Sequence, residues 1–82
     1  MIIYAWIGED ELGSGVVGIK QGLTPAGLIP LVSVDRAKLE QKYIKDQLTE
    51  QAKKYGKPIT LGKFELTEEL QGIMPWSKPT GV

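Results

Sequence analysis

The opening run Met1-Ile2-Ile3-Tyr4-Ala5-Trp6-Ile7 is apolar at nearly every position and rich in the β-branched and aromatic types that suit a strand. Side chains alternate across a strand, so Ile2, Tyr4 and Trp6 share one face while Ile3, Ala5 and Ile7 share the other. Both faces need cover. That is a heavy demand on a chain of 82 residues, because a domain this small buries only about 60% of the surface its unfolded chain exposes. One helix covers one face of such a sheet. The second face must be met by the remainder of the chain or by another molecule.

The segments that follow predict where the first cover comes from. Gly8-Glu9-Asp10-Glu11-Leu12-Gly13-Ser14-Gly15 breaks the strand with a charged, glycine-rich connection, and Val16-Val17-Gly18-Ile19-Lys20 then reads as a second, antiparallel strand. Gln21 to Leu28 is predicted as a loop with a turn at Pro25, and Ile29 to Val34 as a third short strand with Pro30 near its start. From Asp35 the period changes to that of a helix, with Ala37, Ile44, Leu48, Ala52 and Tyr55 within one stripe. Asp35 is an N-cap, Gly56 suits the left-handed C′ position, and Pro58 stops the helix. Ile59 to Leu66 forms a fourth strand, with Thr60, Gly62, Phe64 and Leu66 on one side and Ile59, Leu61, Lys63 and Glu65 on the other. The expected fold class is α+β, in the order β-β-β-α-β: a three- to four-stranded antiparallel or mixed sheet packed on one helix from Asp35 to Tyr55. Residues 1–70 form the single compact domain, and residues 71–82 a flexible tail.

Composition narrows the chemistry. The chain holds 10 Lys+Arg against 10 Asp+Glu, with no histidine and no cysteine. A net charge of zero gives no global field to attract nucleic acid or an anionic membrane, and neither is an expected partner. No transmembrane or secretory segment is expected. Without histidine or cysteine there is no imidazole base, thiolate nucleophile, disulfide or Cys/His zinc site. Glu9-Asp10-Glu11 lacks the alternating spacing of a calcium loop. Nothing matches a nucleophile elbow, a P-loop or a zincin helix, so neither enzymatic activity nor a cofactor or metal is expected.

Gly13-Ser14-Gly15-Val16-Val17-Gly18 has the spacing G-x-G-x-x-G. A dinucleotide site needs a strand before that motif and a helix after it, whereas Val16 to Lys20 is a predicted strand. Glycines that serve turn geometry and close strand contact account for the motif. The alternative is a flap whose backbone, at Gly13, Ser14, Gly15 and Gly18, donates to a small anion, with Lys20 and either Arg36 or Lys63 adding positive charge. Lys38, Lys42, Lys45 and Lys53 lie opposite the apolar stripe of the helix, as on any solvated lysine face. Leu39 and Tyr43 form an i,i+4 apolar pair on its flank, and Trp76 is a large aromatic in the tail; these three are the candidate interface residues.

The run Ala5-Trp6-Ile7-Gly8-Glu9-Asp10-Glu11-Leu12-Gly13-Ser14-Gly15, followed by Val17-Gly18-Ile19-Lys20-Gln21 and Ile29-Pro30-Leu31-Val32, resembles small uncharacterised proteins of tailed bacteriophages and prophages. With Lys57-Pro58-Ile59 and Lys63-Phe64-Glu65, the likeness spans most of residues 1–70. It implies the bacterial cytoplasm and an accessory role, since such proteins inhibit host proteins or sequester host signalling molecules. The leading expectation is a non-enzymatic, homo-oligomeric binding module that holds a small anionic or nucleotide-like ligand between protomers. The alternatives are a protein–protein inhibitor or adaptor acting on a host protein through Leu39, Tyr43 and Trp76, and a minor virion component.

Overall fold

The computed structural model describes residues 1–10, 12–73 and 75. Their elements are β1 (Ile2–Glu9), β2 (Val17–Ile19), β3 (Gln21–Thr24), β4 (Gly27–Pro30), β5 (Val32–Ser33), α1 (Arg36–Leu39), α2 (Lys42–Tyr55) and β6 (Ile59–Glu65). The fold is α+β, with all described pairings antiparallel. The apolar opening strand is its hub. β6 runs along one edge of β1, from Ile2 opposite Glu65 to Gly8 opposite Ile59. The other edge is shared: β2 pairs with the Ile7–Glu9 end and β5 with Tyr4 and Ala5. Where they meet, Trp6 N–H donates to Leu31 O at 3.0 Å, Leu31 N–H to Lys20 O at 2.9 Å and Lys20 N–H to Trp6 O at 2.8 Å. Beyond this junction β3 and β4 leave the sheet and pair with each other as an arm that turns at Pro25 and Ala26.

Two expected elements are therefore corrected. Gln21–Thr24 is a strand, and the predicted third strand, Ile29 to Val34, is divided: its first residues belong to the arm and Val32–Ser33 to the main sheet. Leu31 causes the division. Its side chain is only 1% exposed and packs against Gly22, where a Cβ would lie 3.0 Å from Leu31 Cδ2. Gly22 thus serves close packing inside a strand, not a turn.

The predicted single helix from Asp35 to Tyr55 is also broken. Asp35 does cap its start, the carboxylate accepting from Ala37 N–H at 3.0 Å. After one turn Glu40 N–H bonds back to Ala37 O at 3.2 Å, and Gln41 is extended at φ −64°, ψ 143° before α2 begins. A helix end leaves carbonyls without intrahelical partners, and here the Trp6 indole N–H donates to Leu39 O at 2.9 Å. The break turns Leu39 inward. It is 4% exposed, whereas Tyr43 is 42% exposed, so the two do not form the expected flank surface. α2 ends as predicted, with Gly56 at φ 65° and its N–H on Ala52 O.

The core consists of Leu31, Leu39, Ile44 and Leu48, with Tyr4, Trp6, Ile59 and Leu61 partly buried against it. These are the expected faces of β1 and β6 turned toward the helices. Gln47 secures the arm: its Oε1 accepts from Leu23 N–H and its Nε2 donates to Leu23 O, both at 2.8 Å. One side-chain amide thereby satisfies both backbone groups of an edge-strand residue.

Candidate functional site

The glycine-rich loop between β1 and β2 was the expected source of anion-binding donors. Gly13 and Gly15 take positive φ angles of 75° and 81°, which curl the loop back over Asp10. The Asp10 carboxylate accepts from Ser14 N–H at 2.9 Å and from the Ser14 hydroxyl at 2.6 Å. Ser14 Oγ accepts in turn from Val16 N–H at 3.2 Å, and Gly13 N–H points to Asp10 O at 3.4 Å. Both Ser14 donors thus serve a carboxylate of the chain itself, and the Gly13 N–H a backbone carbonyl. Lys57 binds the same end, 3.2 Å from Glu9 Oε2 and 3.3 Å from Asp10 O. Lys20 donates to Glu9 O at 3.0 Å.

The Ser14 hydroxyl, helped by the Ser14 amide and the Lys57 charge, holds the Asp10 carboxyl below its usual range. A lowered folded-state pKa means that the carboxylate supports loop order above its unfolded value, about 3.9, and that the support disappears as pH falls through the folded-state value. The expected result is a Ser14 amide that keeps its hydrogen-bonded chemical shift through pH 5 and loses it with a midpoint below about 3.9 in an NMR titration. An Asp10→Ala variant should show the unbonded shift at every pH.

The expected ligand cations do not converge on this loop. Arg36 sits at the start of α1 and pairs with Glu40 at 3.2 Å. Lys63 lies on β6 opposite Tyr4, and α1 follows β5, which also reaches Tyr4. Along β1, Tyr4 is about 17 Å from Glu9, where the glycine loop begins. Gly13, Ser14, Gly15, Gly18 and Lys20 therefore occupy one end of the sheet, and Arg36 and Lys63 the other. Trp76 and Glu11 lie outside the described residues. The sequence signal for the loop's internal use is Asp10, a good local acceptor placed just before Gly13-Ser14.

The face of β1 turned away from the helices is a different kind of surface. Ile3, Ala5 and Ile7 of β1, Val17 and Ile19 of β2, and Phe64 of β6 line an open groove of about 400 Å³ with no charged side chain. Val17 is 60% exposed, Ile19 48% and Phe64 41%. The arm does not fold over it: Leu23 and Leu28 are themselves 62% and 64% exposed. The centre of the face is closed over: Ala5 is 2% exposed, and the Phe64 ring lies against Gly62, its neighbour on β6. Its outer residues Val17, Ile19 and Phe64 stay open to solvent, as the two-faced apolar pattern of β1 anticipates.

Comparison with known proteins gives no matching family model, no matching curated protein and no matching solved structure. Among the described residues no helix is long and apolar enough to cross a membrane.

Proposed function

We propose that the protein is a non-enzymatic binding module that works as a homo-oligomer, with the face of Ile3, Ile7, Val17, Ile19 and Phe64 buried between copies. The open apolar groove on that face carries the proposal. Three features favour a second copy as its occupant. The groove has no charged lining that would call for a complementary partner. The chain's net charge is zero, so copies do not repel one another. A two-fold interface lets the same patch serve both sides. Following the resemblance to small tailed-phage proteins, the module would act in the bacterial cytoplasm, as an accessory protein that captures a host molecule. An adaptor docking through Leu39 and Tyr43 is less well supported, because Leu39 belongs to the core.

Sedimentation equilibrium tests the proposal. The full chain is expected to be dimeric or larger at about 100 μM, well above the micromolar dissociation constant of a modest interface. A monomer at that concentration would overturn it.

A further inference from the structure

We infer that the cleft between α2 and the sheet is a binding site for a small organic anion with a flat, apolar body, of the nucleoside monophosphate class. The inference goes beyond homo-oligomeric assembly and is independent of it, because the cleft lies on the helix side of the sheet and the apolar groove on the opposite side. Trp6 and Ile59 line the cleft from the sheet, and Leu48 and Ala52 from α2. Its rim is Lys45, Thr49 and Lys53, and the open space is about 490 Å³. That volume falls within the range of small-molecule sites, which combine an apolar lining with a few polar groups that fix orientation.

The rim follows from helical spacing. Lys45, Thr49 and Lys53 recur at i, i+4 and i+8, one line along α2. The two lysines are about 12 Å apart along the axis, so an anionic group seated midway lies within reach of both flexible side chains. Two lysines are held in ion pairs elsewhere, Lys42 with Asp46 and Lys57 with Glu9. Lys45 and Lys53 form no ion pair among the described residues, and no carboxylate lines the cleft. Both lysines are exposed, so their charge is available. The Thr49 hydroxyl donates to Lys45 O at 2.8 Å, which leaves its oxygen as an acceptor at the rim.

Trp6 supplies the second half of the recognition. Its indole N–H is committed to Leu39 O, so the side chain offers the cleft an aromatic surface with no donor left to satisfy. Planar bases stack on such surfaces, and the stacking tolerates differences between bases because each has a π-face. The open groove beside the glycine loop is poorer for an anion, because Glu9 and Asp10 line it.

The test is a titration of the full chain with adenosine monophosphate, followed through the Trp6 indole N–H and the Ala52 amide by ¹⁵N-correlated NMR. Adenosine and inorganic phosphate are run as separate probes. The expected result is saturable shifts with adenosine monophosphate below about 1 mM, and at least tenfold weaker responses to either fragment. A Lys45→Glu/Lys53→Glu variant should keep a dispersed spectrum, since both side chains are exposed, and should lose the shifts. No saturable shift at 5 mM, equal binding of adenosine, or undiminished binding by the folded double variant would each overturn the inference. None of these outcomes bears on assembly, which is read by sedimentation.

Discussion

Ile19→Asp is expected to convert the oligomer to a monomer while leaving the fold intact. In the monomer Ile19 is 48% exposed on β2, opposite Ile7, so a carboxylate there stays hydrated. In the assembly the same carboxylate would be carried into a groove lined by Ile3, Ala5, Ile7, Val17 and Phe64, with no cation to meet it. Burying an unpaired charge costs several kcal/mol even after relaxation, and about 2.7 kcal/mol already corresponds to a hundredfold loss of association. Circular dichroism should retain the α2 signal, and sedimentation should show the monomer across the range in which the wild type is assembled. Leu28→Asp is the control: Leu28 is 64% exposed on the arm, outside the apolar groove, and its replacement should leave the mass unchanged. If Ile19→Asp sediments as the wild type does, the uncovered face is not the interface.

The sequence resolves features written in local pattern. The two faces of β1 follow from alternation, and β6 presents Ile59 and Leu61 to the core for the same reason. Asp35 and Gly56 mark the outer ends of the helical region because capping depends on immediate neighbours. The features that escape depend on a residue far along the chain. The helix break at Glu40 and Gln41 is stabilised by the Trp6 indole, and periodicity has no term for it. Gly22 looks like a loop residue until Leu31 is seen packed where its Cβ would be. The glycine motif reads as a set of free donors, yet Asp10 takes those of Gly13 and Ser14. A helical wheel also groups Lys45 and Lys53 with Lys38 and Lys42 as one solvated face. Only the tertiary fold brings Trp6 and Ile59 beside the first two.

The steepest loss of stability is expected from Leu31→Ala. Leu31 is 1% exposed, sits in the cluster with Leu39, Ile44 and Leu48, and occupies the junction at which the arm leaves the sheet. Removing so buried a leucine costs about 3–5 kcal/mol through lost transfer energy and the cavity left behind, against a total of about 5–10 kcal/mol for a small domain. Urea denaturation should therefore show a large fall in midpoint, whereas Leu28→Ala, at an exposed position, should shift it little. Because assembly stabilises the folded state by mass action, the comparison belongs in the monomeric Ile19→Asp background. Gly22 makes the result specific. Its missing Cβ would stand 3.0 Å and 3.1 Å from the two Leu31 methyl carbons, so Gly22→Ala alone should destabilise by about 1–3 kcal/mol through overpacking. In the Leu31→Ala background those methyls are gone, and the added Cβ enters the cavity. The two losses should then fall short of their sum by about 1 kcal/mol or more. Additive losses would mean that Leu31 is not what excludes a side chain at position 22, and the close approach that divides the third strand would need another cause.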